Sequence, residues 1–461
     1  MATKKYDVVV IGAGQAGIPL AQALAKAGRK VALAEMKHLG GSCVNYGCTP
    51  TKAVVASARV AHLARRARDF GLEVDAVRVD FPKVLARARA IVADSRSSLA
   101  KMVSSSRGIE LLEGEARLQG RSKKGFRLAI AGEDVEAAEV VLNTGTHTRL
   151  PPVDGLDSIP YITSETWLEH EDLPSHLLMI GGGYIGLEMG QFYRRMGSEV
   201  TIVNAGAHVA GHEDHDVSDA LQELLEAEGI RFVMDAKVAK LEKRGSKVAA
   251  HIQAGKERST LEASHVFVAT GRQPNTGELG LDLVGLAVEK DGTVKTDKRL
   301  ATKVDGLWVA GDIRGGPMFT HTSWDDYRIL ESQMLGNGER TLERVVPYAV
   351  FTDPELGRVG MTETEARDKG RKVRIGRFEM RHDGKAREIG ETAGFIKVVV
   401  DAETGLILGA SVLAVEGAEL VHSYIQLMNA EVPFTVMENA IHIHPTLSEA
   451  VQSAVSAIDW D

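Results

Sequence analysis

A glycine-rich motif occurs twice in this chain, and its first copy lies close to the N-terminus. Residues 6 to 35 read as an apolar run, the glycines Gly12, Gly14 and Gly17, an alanine-rich segment, and a second apolar run that ends at Glu35. The first glycine permits a tight turn, the second lets a pyrophosphate approach the backbone, and the third lets helix and strand pack closely. The pattern predicts a βαβ unit with a pyrophosphate at the helix N-terminus, where free amides and the helix dipole favour anions.

The second copy spans residues 176 to 204 and carries Gly181, Gly183 and Gly186. Asn204 follows the first of these glycines at the same separation that Glu35 has from the first glycine of its own motif. A single glycine motif is a weak signal, whereas two copies with equal spacing and a βαβ context are specific. The sequence therefore predicts two dinucleotide sites in one chain.

The residue expected at the ribose differs between the two sites. Glu35 suits an unphosphorylated ribose diol and repels a 2′-phosphate, so the first site fits FAD or NAD. Asn204 is neutral and no arginine follows it closely, which leaves His208 as the nearby candidate cation. The second site is therefore expected to bind NADH or NADPH, and the sequence leaves that choice open.

Composition limits the other classes of function. At roughly 150 residues per domain, 461 residues correspond to about three domains. A net charge of −8 without blocks of like charge argues against nucleic acid as a partner. The sequence contains no apolar stretch of roughly 18 to 20 residues that could span a membrane. Lys4 and Lys5 precede a short apolar run, but this run ends at once in a glycine turn, so we expect no signal peptide and a cytoplasmic protein.

The chain has 2 cysteines, Cys43 and Cys48, within the segment GGSCVNYGCTPTK. A disulfide needs Cα atoms within about 6.8 Å, whereas five residues of ideal helix rise about 7.5 Å. The pair can bond only if the helix predicted from Thr51 onward is preceded by irregular backbone, which Gly47 allows. Thiols near that helix N-terminus would have a lowered pKa. We favour a redox-active disulfide over two small buried side chains or half of a zinc site, since zinc needs further ligands.

Together, these features resemble the flavoprotein disulfide reductases, the pyridine nucleotide-disulfide oxidoreductases that include dihydrolipoamide dehydrogenase, glutathione reductase and mercuric reductase. The likeness covers essentially the whole chain. It rests on the segments GAGQAG, GGSCVNYGCTPTK, GGGYIGLE, VFVATGRQPNT, LWVAGD and HIHPTLSEA, in that order. The resemblance implies an α/β fold with two Rossmann-like dinucleotide-binding domains and a C-terminal α+β dimerisation domain.

The same resemblance implies the order of the domains. Residues 1–148 would form the first part of an FAD-binding domain, 149–270 an NAD(P)-binding domain, 271–345 the return segment of the FAD domain, and 346–461 a dimerisation domain. Within the last, the sequence pattern predicts a β-hairpin that turns over Glu403-Thr404-Gly405.

Residue roles follow from the resemblance as well. Cys48 would be the flavin-proximal thiol and Cys43 the interchange thiol that attacks the substrate. Lys52 would lie near flavin N5 and pair with Glu188. The alternative is that Lys52 and Glu188 are ordinary surface charges.

Further positions complete the expected cofactor sites. Asp312 would accept a hydrogen bond from the ribityl chain of FAD, and Tyr184 would cover the flavin until nicotinamide displaces it. Gly145 and Gly271 are expected to contact a cofactor. The alternatives are a turn residue at Asp312 and a merely packed aromatic ring at Tyr184.

His444 and Glu449 match the acid/base dyad of the family. Histidine titrates near neutrality, and a carboxylate fixes its tautomer and raises its basicity. His442 is the more structural of the two histidines. In this family the dyad reaches the flavin of the other subunit, so the resemblance implies an obligate homodimer.

The expected reaction passes hydride from NAD(P)H to FAD, then electrons to the cysteine pair, then to an oxidised small-molecule or protein disulfide. One alternative is reduction of a metal ion, as in mercuric reductase, although no cysteine follows Cys48. Another is an NAD(P)H oxidase or transhydrogenase that ignores the cysteines. We expect no resident metal site, and we interpret the segment 208–216, which carries His212, Glu213, Asp214 and His215, as a solvated loop.

Overall fold

The computed structural model describes residues 3–459. Its first region combines a sheet with four helices. The strands are β1 (Lys4–Ile11), β2 (Val31–Glu35), β3 (Ile109–Glu113), β4 (Ala116–Ser122), β5 (Gly125–Ile130), β6 (Glu133–Leu142) and β7 (Thr146–Thr148), and the helices are α1 (Gly17–Lys26), α2 (Gly41–Asn45), α3 (Cys48–Arg65) and α4 (Phe81–Ser105).

The second region is built around the second glycine motif. Its strands are β8 (Ile162–Thr163), β9 (His176–Ile180), β10 (Glu199–Val203), β11 (Arg231–Val233), β12 (Ala236–Arg244), β13 (Lys247–Ala254), β14 (Glu257–Ala263), β15 (His265–Val268) and β16 (Arg272–Pro274), and its helices are α5 (Tyr184–Met196) and α6 (His215–Ala227). A parallel sheet has the order β11-β10-β9-β15-β8, and an antiparallel sheet has the order β12-β13-β14. The antiparallel pair β7–β16 joins the first two regions.

The chain then returns to the first sheet through β17 (Leu307–Val309) and α7 (Thr320–Leu335). The strand order there is β3-β2-β1-β6-β5-β4. The first half of β6 pairs with β5, and its last residues pair in parallel with β17. The sheet is therefore completed by a segment that follows the second region in the chain.

Both βαβ predictions are confirmed, and burial explains why the first unit forms. Residues Val8 to Ile11 of β1 are buried, as expected for a central strand covered on both faces. Helix α1 buries Gly17, Leu20, Ala21 and Leu24, which follow one another at helical spacing. The two leucines are fully buried, and each contributes roughly 1.5 to 3 kcal/mol to stability.

The last region is an antiparallel sheet with helices. Its strands are β18 (Pro347–Val350), β19 (Glu355–Gly360), β20 (Val373–Glu379), β21 (Phe395–Asp401) and β22 (Ile407–Ala414), and its helices are α8 (Glu363–Asp368), α9 (Gly384–Glu388), α10 (Gly417–Leu420), α11 (His422–Ala430), α12 (Thr435–Glu438) and α13 (Ser448–Ser456). The strand order is β18-β19-β22-β21-β20. The predicted hairpin is confirmed as β21–β22, and the architecture agrees with the predicted fold class. Among residues 3–459, none of the helices has the length and apolarity needed to cross a membrane.

Candidate active site

A cavity of about 1620 Å³ lies where the three regions meet. Pockets for one small molecule usually have roughly 300 to 1,000 Å³, so this cavity can hold an extended ligand or more than one. Its wall includes Gly14 of the first glycine turn, Gly183 of the second, and the side chains of Cys43, Cys48 and Lys52. The two predicted nucleotide sites and the cysteine pair therefore share one cavity.

The first glycine turn has no room for side chains. Gly12 has φ of +103°, and a Cβ there would lie 2.2 Å from the carbonyl oxygen of Asn143. A Cβ on Gly17 would lie 2.0 Å from the carbonyl oxygen of Gly12. The N-cap residue Ala16 makes no side-chain cap to α1, and the Gly17 amide donates to Asn143 Oδ1, so an anion in the cavity would meet the amides of the turn that precedes Gly17.

The carboxylate of Glu35 is fixed beside this turn. Its Oε2 accepts a hydrogen bond from the backbone N–H of Ala13 at 2.9 Å, and its Oε1 accepts one from Lys37 N–H at 2.8 Å. Glu35 also lines the cavity. The structure thus holds a carboxylate next to the glycine turn, at the place expected for a ribose.

The second glycine turn repeats this arrangement. A Cβ on Gly186 would lie 2.1 Å from the carbonyl oxygen of Gly181, whereas Gly183 faces open space in the cavity wall. Asn204 Oδ1 accepts a hydrogen bond from Gly182 N–H at 3.1 Å. Asn204 thus makes the same contact to its turn that Glu35 makes to the first one.

Three further predicted residues line the cavity between the two turns. Gly145 and Gly271, with φ of +66° and +101°, flank the β7–β16 pair, and a Cβ on either would meet only open space. Asp312 Oδ2 accepts a hydrogen bond from Thr146 Oγ1 at 3.1 Å. Burial raises the pKa of Asp312, and the nearby Arg272 guanidinium partly offsets this.

The cysteine segment has the predicted irregular backbone. Helix α2 ends at Asn45 and α3 begins at Cys48, three residues before the predicted start at Thr51. The helix can begin earlier because Pro50 lies in its first turn, where proline is tolerated. A Cβ on Gly47 would lie 2.9 Å from the carbonyl oxygen of Ser42, so the close approach of the two helices requires glycine. Both cysteines are reduced in this structure.

The two thiols have opposite acidities. A hydrogen bond from Cys43 lowers the pKa of Cys48 to about 6, with further help from Thr320 Oγ1 at 3.1 Å and from the Lys52 cation. The same sulfur–sulfur hydrogen bond, together with burial, raises the pKa of Cys43. In the reduced pair, Cys48 is therefore the thiolate and Cys43 keeps the proton at neutral pH.

A first prediction concerns Thr320, whose hydroxyl donates to the Cys48 thiolate. Thr320→Val should raise the pKa of Cys48 by about one unit or more, because a hydrogen bond to a charged group contributes roughly 1.5 to 3 kcal/mol. The thiolate exists above its pKa, so the midpoint of alkylation by iodoacetamide, measured by mass spectrometry of the Cys48 peptide, should shift to higher pH. Thr320→Ser is the matched control and should keep the wild-type midpoint. Equal midpoints for all three proteins would contradict the prediction.

Lys52 and Glu188 are brought together beside the thiols. Lys52 Nζ lies 2.6 Å from Glu188 Oε2, and Glu188 Oε1 accepts a hydrogen bond from Phe351 N–H at 2.9 Å. The ammonium group also lies 4.4 Å from the centre of the Phe351 ring. Because Glu188 is buried and both groups are paired, they are not ordinary surface charges.

Tyr184 lines the cavity and is bound to a carboxylate from the segment 208–216. Its hydroxyl donates to Glu213 Oε1 at 2.9 Å, and its ring stacks on Tyr348 with 5.6 Å between ring centres. Glu213 Oε2 lies 2.7 Å from Arg358 Nε. Glu213 thus connects Tyr184 to the antiparallel sheet of the last region.

The interpretation of segment 208–216 as a solvated loop is wrong for its central residues. Glu213 and Asp214 are buried. Lys397 Nζ lies 3.1 Å from Asp214 Oδ2, and the backbone N–H of Glu363 donates to the same oxygen. These two partners of Asp214 are 149 and 183 positions away in the chain, so local sequence could not reveal them. Within residues 3–459, no group of three or more histidine, cysteine or acidic side chains is placed to hold a metal ion.

His444 and Glu449 form the predicted contact but lie on the surface of the chain. His444 Nδ1 lies 3.0 Å from Glu449 Oε1. A hydrogen bond from Thr446 N–H, and then the one from His444, lowers the pKa of Glu449. The side chain of His444 is 77% exposed, and it is not part of the cavity wall formed by the described residues. The structure of one chain does not bring the dyad to the cysteines.

Two residues of the site were missed from the sequence. Asn143 Oδ1 accepts a hydrogen bond from Gly17 N–H at 3.0 Å, and its Nδ2 donates to the Ala310 carbonyl at 2.9 Å. It thereby ties α1 to the return segment. A polar residue directly after the apolar end of β6 was the available signal. Thr320 has no comparable signal, because its contact to Cys48 spans 272 positions.

The chain is similar to several known proteins over almost its full length. The family described as pyridine nucleotide-disulphide oxidoreductase matches residues 6–326, and its dimerisation domain matches residues 346–455. The probable pyridine nucleotide-disulfide oxidoreductase RclA of Escherichia coli is 33% identical over 459 residues, covering 98% of this chain and 99% of that protein. The dihydrolipoyl dehydrogenase of Cupriavidus necator is 34% identical over 469 residues, covering 99% and 98% respectively.

Solved structures agree with these relatives. The HOCl-induced flavoprotein disulfide reductase RclA from Escherichia coli matches with a TM-score of 0.88 at 33% identity, covering 98% of this chain and 99% of that one. A Cu(II) complex of the same protein matches with a TM-score of 0.89, at the same identity and coverage.

Proposed function

The chain belongs to the pyridine nucleotide-disulphide oxidoreductase family, and from that premise we propose that Cys43 and Cys48 reduce a disulfide substrate at the expense of NADH. Members of this family are oxidoreductases that act on sulfur groups and use FAD and NAD(P)H. The observation that carries the proposal is a pair of thiols in the cavity shared by both glycine turns, with Thr320 and Lys52 placed to lower the pKa of Cys48.

The residues of the first site fit FAD. The open space above Gly145 and Gly271, the glycine turn at the N-terminus of α1 and the carboxylate of Glu35 match a long dinucleotide with a pyrophosphate and an unphosphorylated ribose. Asp312 would accept a hydrogen bond from a hydroxyl of the ribityl chain that leads to the flavin ring. When bound, FAD accepts hydride from nicotinamide and supplies the electron pair for the disulfide.

The thiols would carry out the exchange with the substrate. Cys43 loses its proton and attacks one sulfur of the substrate disulfide, which forms a mixed disulfide and releases one thiolate. The Cys48 thiolate then attacks Cys43 Sγ, which forms the Cys43–Cys48 disulfide and releases the second thiolate. The paired ammonium of Lys52 stabilises negative charge at Cys48, and Thr320 orients it.

The exchange needs a group that accepts the proton of Cys43 and donates protons to the released thiolates. We propose that His444 of the partner subunit takes this role and that Glu449 fixes its tautomer. A homodimer is supported by the match to a dimerisation domain and by two bare apolar side chains beside the dyad, Ile441 at 101% and Ile443 at 79% exposure. We also propose a cytoplasmic location, since the reaction draws on NADH and a chain with 2 cysteines has no framework of structural disulfides.

A second prediction concerns the nicotinamide. NADH should have a kcat/KM at least about tenfold above that of NADPH, because the two residues expected at a 2′-phosphate, neutral Asn204 and His208, already have other partners. Asn204 Nδ2 already donates to the carbonyls of Gly206 and His208, and His208 Nδ1 lies 2.9 Å from Asp219 Oδ1. Asp219→Asn should release His208 and improve NADPH severalfold without a change for NADH. Equal use of both nucleotides by the wild-type enzyme would contradict the assignment.

The substrate class is tested by steady-state assays with disulfides, Cu(II) and Hg(II) as acceptors. Disulfide reduction predicts parallel double-reciprocal lines, because the oxidised and reduced forms of the cysteine pair alternate. A second candidate is metal-ion reduction, favoured by two thiols that face the cavity and by the Cu(II) complex described for the related structure. Turnover of Cu(II) or Hg(II) without turnover of any disulfide would favour this second candidate.

A further inference from the structure

The carboxylate of Glu213 is shared by two tyrosines and an arginine. Its Oε1 accepts hydrogen bonds from the hydroxyls of Tyr184 at 2.9 Å and Tyr348 at 2.7 Å, while its Oε2 pairs with Arg358. The side chains of Glu213 and Arg358 are 0% and 2% exposed. A carboxylate that is this deeply buried is costly to leave without donors, so each of these partners matters to its energy.

Tyr184 lies on the path between the second glycine turn and the thiols. It is the first residue of α5, directly after Gly183, and Glu188 follows one helical turn later on the same face. Glu188 pairs with Lys52 beside Cys48. A nicotinamide that extends from the glycine turn towards the thiols must therefore displace the Tyr184 ring, and this breaks the hydrogen bond from Tyr184 to Glu213.

Tyr348 is held in place when Tyr184 moves. The Tyr348 ring stacks on Phe319 with 5.1 Å between ring centres, and the Arg358 guanidinium lies 5.8 Å from the centre of the Tyr348 ring. The carboxylate is fixed as well, because Glu213 N–H donates to the Ala210 carbonyl and Ala210 N–H donates to the Gly182 carbonyl, each at 2.9 Å. The hydroxyl of Tyr348 thus remains on Oε1 of Glu213 after Tyr184 has left.

We propose that Tyr348 is a positioning residue for nicotinamide binding. By keeping a donor on Glu213, it lowers the cost of displacing Tyr184 and so strengthens the binding of the nucleotide. This inference rests on the proposed function, in which the second glycine turn binds NADH. It assigns a role in cofactor binding to a residue of the dimerisation region.

The test is a double-mutant cycle on the holoenzyme. Tyr348→Phe keeps the stacked ring and removes the donor, so the KM for NADH and the Kd for a tetrahydronicotinamide analogue of NADH, which cannot transfer hydride, should rise about tenfold, with kcat unchanged. Tyr184→Phe has no hydroxyl to break away, so both constants should stay equal to wild type or fall. In the Tyr184→Phe background, Tyr348→Phe should have no further effect.

Tyr6→Phe is the matched control, because it removes a hydroxyl that donates to Glu110 at 2.7 Å, away from the cavity. It should change neither constant. An unchanged Kd in Tyr348→Phe, or the same rise in both Tyr184 backgrounds, would overturn the inference. If the wild-type enzyme accepted electrons from neither NADH nor NADPH, the proposed function would fail. The Kd of the analogue does not depend on hydride transfer, so it tests the role of Tyr348 separately from the proposed function.

Discussion

Replacing Cys43 by serine should lower the rate of disulfide reduction by at least about a thousandfold, because the serine hydroxyl is scarcely ionised near neutral pH and cannot form the mixed disulfide. The folded structure should tolerate the change, since serine replaces a single sulfur by a smaller oxygen and Cys43 is only partly buried. The measurement is the steady-state rate with NADH and a disulfide acceptor. Thermal unfolding and flavin content serve as checks that the variant is folded and loaded.

Cys48→Ser is the companion variant. It should also lose disulfide reduction, but it removes the thiolate itself, so no cysteine with a pKa of about 6 should remain in alkylation experiments. A Cys43→Ser enzyme that retained the wild-type rate with disulfides would contradict the proposed role of the pair. It would instead favour an NAD(P)H oxidase or transhydrogenase that does not use the cysteines.

The second large effect is expected at His444, which lies outside the cavity of its own chain. His444→Ala should lower the rate of disulfide reduction by roughly a hundredfold or more, the range for loss of a general acid or base. Glu449→Gln should have a smaller effect, because histidine remains and loses only the carboxylate that orients it. The decisive question is which subunit supplies the histidine.

Mixed dimers answer this question. A dimer of one Cys43→Ser chain and one His444→Ala chain, isolated with two different affinity tags, has one intact site if the histidine comes from the opposite subunit. Such a dimer should show about half of the wild-type rate. If each histidine served its own chain, both sites would be damaged and the mixed dimer would be nearly inactive.

Local sequence patterns were sufficient for the elements that depend on nearby residues. Both βαβ units follow from glycine spacing and apolar runs, and the hairpin from its turn residues. The close approach of the chain at Gly12 and Gly17 explains why the glycine spacing predicts the turn so well. The irregular backbone between the cysteines also follows from local geometry, although the start of α3 does not.

Contacts between distant segments were beyond such patterns. Glu213 was interpreted as solvated because its neighbours in sequence are polar, yet its partners are Tyr184, Tyr348 and Arg358, and the last two lie in another region. Thr320 was missed for the same reason. The low pKa of Cys48 depends in part on this contact. The difference in acidity between the two thiols could therefore be recognised only in the structure.

Whether electrons pass through the cysteine pair can be measured by a count of free thiols before and after anaerobic addition of one equivalent of NADH to the oxidised holoenzyme. With 2 cysteines in the chain, the count has no other source. We expect a rise from none to two thiols per chain, together with a long-wavelength absorption band of the Cys48 thiolate that disappears below about pH 6. A yellow enzyme that NADH bleaches without release of any thiol would contradict it.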